Sequence, residues 1–319
     1  MLLPSLAVIA GFALLAWSAD RFVDGAASIA RHLNISPMII GLTIVSLCTS
    51  LPEMMVAGFA AFDGNSELGI GNAMGSNIAN IGLVLGVTAL VAPLTVKSLT
   101  IRREFPVLFL VTFFALALMA DGELSHFDGV ALLVGLCLML WWLVHLGVKD
   151  RNDPLEDEFS DSIPADMSMR RSLFWFSIGL LLLLVSSKVV VWGSVEIAHR
   201  FGISDLVIGL TIIAIGTSLP ELMAAIAGVV KGEHDLVIGN VIGSNIFNIL
   251  AVLSMPALIQ PGVFSSEVLL RDFPIMLGFT VVMFLFAFGI RRAGRVNRIE
   301  GTLLASGFFG YLYLLYLQS

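Results

Sequence analysis

Two glutamates, Glu53 and Glu221, each end a Thr-Ser-Leu-Pro run set in apolar sequence. A carboxylate in hydrocarbon is costly unless a cation offsets its charge. The first run reads GLTIVSLCTSLPEMM, from Gly41 to Met55, and the second GLTIIAIGTSLPELM, from Gly209 to Met223. Pro52 and Pro220 lack an amide hydrogen and clash with a carbonyl one turn earlier, so each helix must kink or unwind there. That frees backbone carbonyls around Ser46 to Cys48 and Ala214 to Gly216. Thr49, Ser50, Thr217 and Ser218 add hydroxyl oxygens beside them. Every donor offered is oxygen, which suits hard ions such as Ca²⁺ and Na⁺; zinc or copper would want sulfur or imidazole.

A second element follows each run: IGNAMGSNIANI from Ile70 to Ile81 and IGNVIGSNIFNI from Ile238 to Ile249. Ser76 and Asn80 are four apart, as are Ser244 and Asn248, so each pair shares one helix face and can aim oxygen at the centre the glutamates serve. Gly71 and Gly75, like Gly239 and Gly243, have the small-residue spacing that lets helices approach closely. Asn72, Asn77, Asn240 and Asn245 read as ties for loosened backbone groups. Two ionised glutamates balance one divalent or two monovalent cations. Ca²⁺ takes ~6–8 oxygens in a flexible shell, whereas Mg²⁺ keeps its waters and demands stricter geometry.

The elements that must hold these residues are membrane helices. The 319 residues are 58% hydrophobic and 13% charged, with a mean hydropathy of +0.97, too few charges to cover a soluble surface. Apolar stretches of spanning length recur, and strand-like alternation is absent. The chain therefore reads as an all-α integral membrane protein of ten transmembrane helices, near 3–30, 36–61, 67–92, 103–120, 127–147, 172–198, 205–230, 236–259, 269–290 and 300–317. The first apolar run lacks a basic n-region and a small-residue cleavage pattern, so it reads as a span and not a leader. Cys48 and Cys137 lie in apolar segments with no CxxC or His partner, and no basic stripe suits nucleic acid.

Orientation follows from the basic residues. With the N-terminus outside, thirteen lie in cytoplasmic connections and only Arg200 and Arg271 on the opposite side, so both termini are expected outside. An offset of 168 positions aligns the two copies without a gap from Ile35 to Ile81, with about half the residues identical. Five spans separate equivalent positions, an odd number, so the second copy enters the membrane upside down. Residues 1–148 form the first five-helix repeat with motif 41–81, and 172–319 the inverted second with motif 209–249; helices 2 and 7 are interrupted. Between them, 149–171 is an acidic cytoplasmic linker. Inverted repeats with interrupted helices describe secondary transporters that bind cargo at the midplane.

Asp20, Arg21 and Asp24 lie near the cytoplasmic end of the first helix, and Lys188 occupies the position equivalent to Asp20. They read first as snorkelling anchors, and alternatively as ion pairs that change as the first and sixth helices slide.

With twinned TSLPE and GNxxGSNxxN motifs at inverted positions, the chain resembles the calcium/cation antiporter superfamily, as a prokaryotic member on the sodium/calcium exchanger side. The resemblance implies that Thr49, Ser50, Glu53, Ser76 and Asn80 line the site, with Thr217, Ser218, Glu221, Ser244 and Asn248 opposite, and with backbone carbonyl ligands near Ser46 and Ala214. Proton-coupled relatives carry a GNAxE-like pattern where this chain has TSLPE, which favours Na⁺ coupling. Two departures stand out. Cys48 and Ser46 replace the family's glycine and alanine, which the second copy keeps as Gly216 and Ala214. Asn248 stands where the potassium-dependent branch has Asp, so no K⁺ requirement is expected.

The expected function is exchange of Ca²⁺ for Na⁺ by alternating access, by a monomer in the inner membrane. Its partners are Ca²⁺, Na⁺ and the bilayer, with no cofactor and no nucleic acid. The alternatives are H⁺-coupled cation exchange, with H⁺ in place of Na⁺, and a cation channel. No paired Ser and Lys, HExxH or protease-type aspartate pair suggests an enzyme.

Overall fold

The computed structural model describes residues 2–96, 98–149, 167–202, 214–288 and 294–318. The described residues are almost entirely helical. In order the helices are α1 (Leu2–His32), α2 (Pro37–Thr49), α3 (Leu51–Phe62), α4 (Ser66–Val91), α5 (Ser98–Met119), α6 (His126–Lys149), α7 (Met169–Arg200), α8 (Ala214–Thr217), α9 (Leu219–Val230), α10 (His234–Ile259), α11 (Val268–Phe288) and α12 (Arg298–Gln318). Among the described residues six helices are long and apolar enough to span a membrane, or seven if α2 and α3, bent by 43° at their break, count as one. The ten expected crossings exceed that number partly because the proline-bearing helices are cut into pieces shorter than the ~20 residues a crossing needs. Most of the acidic linker, and the first part of the seventh expected helix, lie outside the described residues.

The helices carrying GNxxGSNxxN sit at the centre. All of the apolar window of α10 and 78% of that of α4 is buried, against 28% for α1, α6 and α7. The polar motif is therefore innermost, and the leucine- and phenylalanine-rich helices present their side chains outward, as lipid contact requires. Two short antiparallel ribbons, missed by the alternation test, tie chain segments far apart in sequence. Leu94–Val96 (β1) pairs with Gly294–Val296 (β4), and Glu123–Leu124 (β2) with Gly262–Val263 (β3). Three residues at most are too few to establish a period.

Glycines allow a close approach where α1 and α7 cross. A Cβ on Gly25 would stand 2.5 Å from the backbone nitrogen of Phe176, and one on Gly179 2.6 Å from that of Phe22. Further along, Gly11 meets Val190, and Gly193 meets Pro4 and Val8. Each contact has its mate under the 168-residue offset: Gly11 with Gly179, Gly25 with Gly193, Phe22 with Val190 and Val8 with Phe176. Gly64 and Gly232, also offset mates, close α3 and α9 with φ of 87° and 77°. Only glycine adopts that left-handed turn without strain.

Candidate functional site

Each interrupted helix breaks at the serine of its motif, two residues before the proline. Ser50 has φ −82° and ψ 5°, Ser218 φ −88° and ψ 4°, and Pro52 and Pro220 occupy the first turn of the next helix. That position suits proline, because the missing N–H is one a helix start leaves unbonded anyway. The carbonyl set is narrower than expected. Ser46 O accepts from Ser50 N at 3.0 Å, and Gly216 O accepts from the Ser187 hydroxyl of α7 at 2.9 Å.

The carboxylates are held across the break by hydroxyls of the other motif. Ser50 Oγ lies 3.5 Å from Glu221 Oε1, Thr49 also neighbours Glu221, and the Thr217 hydroxyl hydrogen-bonds Glu53. Glu53 and Glu221 are close enough for their charges to interact. Thr49 Oγ1 also lies 3.3 Å from Asn240 Oδ1 and 3.4 Å from Ser46 O. One hydroxyl hydrogen serves one of these acceptors at a time, so the others keep oxygen lone pairs that it does not satisfy. The backbone of Glu53 is tied by Asn72, whose Nδ2 donates to its carbonyl at 3.1 Å.

The helices that carry the remaining expected residues pack against the broken helices. Asn80 and Asn248 each open a π-helical turn, Asn80–Leu85 and Asn248–Val252, a distortion common where a helix serves a site. The helix of Glu221 rests on the first turn and the helix of Glu53 on the second. Ser46, Thr49, Ser50, Glu53, Ser76, Asn80, Ser218, Glu221, Ser244 and Asn248 are all buried and Thr217 is half-buried. Ala214 is placed in its helical turn, directly before the break.

Among the described residues several of these buried atoms lack a hydrogen-bond partner: Glu53 Oε2, Glu221 Oε2, Asn80 Oδ1, Asn248 Oδ1, Ser218 Oγ and Ser244 Oγ. All are oxygens, and a buried oxygen left unbonded is expensive. Such a set fits a hard cation. Among the described residues no three His, Cys, Asp or Glu side chains converge, so hydroxyls and amides would have to complete any shell.

Sequence reasoning missed Ser187 and the π turns. Ser187 has Ala19 as its offset mate, so comparing the copies conceals it, and a π turn has no residue signature. Of the glycines, Gly239 and Gly243 do take a close neighbour, with Cβ positions 2.5 Å from Met38 O and from Ser46 Oγ. Gly71 and Gly75 meet nothing within 4 Å among the described residues. Gly243→Ala should therefore push on Ser46 and on the Leu42 backbone, 2.7 Å away. Overpacking of this kind costs about 1–3 kcal/mol, to be read as a lowered Tm in detergent.

Central polar helices, broken helices with paired carboxylates and an apolar exterior define a multi-pass membrane transporter. Residues 4–145 and 171–317 match the family described as sodium/calcium exchanger protein, and the chain belongs to that family. It is 50% identical over 317 residues to CaxA of Alkalimonas amylolytica, covering 99% of each chain. It is 43% identical over 319 residues to the inner membrane protein YrbG of Escherichia coli K12, covering 99% of this chain and 98% of that one. Among solved structures, the sodium-calcium exchanger NCX_Mj soaked with Na⁺ and Ca²⁺ superposes with a TM-score of 0.83 at 32% identity, over 98% of each chain. The family and its structural neighbours are exchangers and not enzymes.

Proposed function

We propose that the chain exchanges Ca²⁺ for Na⁺ by alternating access, at one midplane site built from both TSLPE motifs. The observation that carries this reading is the cross-pairing of the site. Glu53 bonds Thr217 and Glu221 neighbours Thr49 and Ser50, so neither motif makes the site alone. Glu53 and Glu221 hold the divalent ion and then share their charge among sodium ions on the return. The ligands are Thr49, Ser50, Ser76, Asn80, Thr217, Ser218, Ser244 and Asn248, with carbonyls near Ser46 and Ala214. An unloaded site is reluctant to switch, because two bare carboxylates in a dry centre are costly.

The architecture that goes with this mechanism is two inverted five-helix halves, 1–148 and 172–319, joined by the cytoplasmic linker 149–171. Both termini lie outside the inner membrane, ten helices cross it, and the monomer is the working unit. The offset-mated glycine contacts between α1 and α7 support that reading, as do the two serine breaks.

Flux in proteoliposomes of purified protein, with Na⁺, K⁺ and H⁺ gradients imposed separately, is the test. An outward Na⁺ gradient should drive ⁴⁵Ca²⁺ uptake with no K⁺ present, and a K⁺ or pH gradient alone should not. Uptake driven by a pH gradient without Na⁺ would replace sodium by protons as the coupling ion. Uptake that requires K⁺ would overturn the role given to Asn248.

A further inference from the structure

At one end of the fold an ionic cluster joins α1 to the end of α9. Lys231 Nζ lies 2.7 Å from Asp20 Oδ1 and 2.5 Å from Asp24 Oδ1. Arg31 adds a pair with Glu233 at 3.4 Å. α1 lies along α9 here, and Leu219 is 6% exposed.

The 168-residue offset carries Lys231 to Asp63 and Asp20 to Lys188. The mates are again a lysine and an aspartate, with the signs exchanged between the helices. Lys188 is on α7 and Asp63 closes α3, so the mate of the α1–α9 contact is one between α7 and α3. Its charged members do not meet among the described residues. Asp63 and Lys188 are both exposed and have no ion pair among the described residues. The surface of α3 that α7 would cover is open: Leu51, the mate of Leu219, is 36% exposed and Met55 is 47% exposed. Met223, the mate of Met55, packs against the α1 cluster. One end of the molecule is latched and the equivalent end is apart.

We propose that Lys231 with Asp20 and Asp24, and Lys188 with Asp63, are reciprocal ionic latches, each closed in one of the two access states of the transport cycle. This rests on the inverted-repeat reading, in which switching exchanges the conformations of the two halves. The latches are unequal. Trp192 stands where Asp24 has its mate, so the second latch has one carboxylate and the first has two. The chain is thereby biased toward the state with the Lys231 end closed. With that end on the cytoplasmic side, the favoured state opens outward.

Paired cysteines test the latch in the full-length protein, in a Cys48→Ala/Cys137→Ala parent whose Na⁺-driven ⁴⁵Ca²⁺ uptake is measured first. Bridging needs Cα atoms within about 7 Å. Under exchange conditions with a mild oxidant, Asp63→Cys/Lys188→Cys should form an intramolecular disulfide that stops uptake until it is reduced, and Asp20→Cys/Lys231→Cys should do the same. A parent that transports while the 63/188 pair stays unbridged overturns the latch. The inverted repeat is tested apart from it by an impermeant maleimide on the single variants Asp63→Cys and Lys231→Cys in sealed vesicles. Labelling from opposite faces supports the repeat, and labelling from the same face overturns it. Charge variants give a second readout. Lys188→Met should change the exchange rate roughly two- to fivefold, the span of a solvated ion pair, and Lys188→Asp with Asp63→Lys should restore it. A swap no better than the single change counts against the pair.

Discussion

Na⁺-driven ⁴⁵Ca²⁺ uptake falls by about two orders of magnitude or more in Glu53→Gln and in Glu221→Gln, while the Tm of each variant without Ca²⁺ holds or rises. Both halves of that result follow from burial. Each glutamate is 1% exposed and carries an oxygen, Oε2 in both cases, with no hydrogen-bond partner among the described residues. With a cation in the site, an amide at either position leaves a buried ion short of one formal charge. Removing one member of a buried charge pair costs about 3–5 kcal/mol, and each ~1.4 kcal/mol is tenfold. Without a cation the balance reverses. Two carboxylates near each other in a dry centre repel, and a neutral isostere relieves both that repulsion and the desolvation of one charge.

The same variants separate ion binding from transport. A ligand that binds only the folded state at a hundred times its Kd stabilises that state by about 2.7 kcal/mol, so Ca²⁺ should raise the wild-type Tm and fail to raise that of Glu53→Gln. If both glutamates were structural acids kept protonated, glutamine would replace them with little effect on flux and no change in the Ca²⁺ response. Unimpaired uptake in either variant refutes the site.

Much of this centre was legible because its residues are conspicuous in an apolar chain. Prolines, glycines and lone carboxylates stand out there, and the boundaries expected for the helix around Ile70 to Ile81, 67–92, differ from Ser66–Val91 by one residue at each end. The break itself was displaced. Proline forbids a bond to a carbonyl behind it but fits the first turn ahead of it, so the chain departs from the helix at Ser50 and Ser218. Contacts between distant segments were not legible. Asp20 was read with Arg21 and Asp24, and with Lys188, its mate in the repeat. Arg21 does pair with Asp20 and Asp24, but the distant partner is Lys231 and not Lys188. Under the proposed inversion, offset mates belong to opposite ends of the fold and need not touch; the contact lies between one residue and the mate of another. Ser187 and its bond to Gly216 escaped for a related reason, since the first copy has alanine in its place and no repetition marks the serine.

Gly25→Ala and Gly179→Ala should each destabilise the protein by about 1–3 kcal/mol, the range for a methyl forced into a filled contact, and the double variant should lose less than the sum. At both positions the obstacle is backbone as well as side chain: Phe176 N and Cα lie 2.5 and 2.8 Å from the Cβ of one, Phe22 N and Cα 2.6 and 2.8 Å from that of the other. A side chain could rotate away, but a helix backbone must move as a body, so either methyl pries α1 from α7. The two contacts are neighbours in one crossing, three residues apart on each helix, and once the helices part for the first methyl the second finds room. Coupling of that kind is what a double-mutant cycle detects. Gly25 and Gly11 are fourteen residues apart on α1, about 21 Å along a helix, so Gly25→Ala with Gly11→Ala should be close to additive. Equilibrium unfolding in detergent measures the wild type, the three single variants and the two doubles. Additive losses at Gly25 and Gly179 would mean that the helices yield locally at each glycine, and that α1 and α7 do not move as one packed pair.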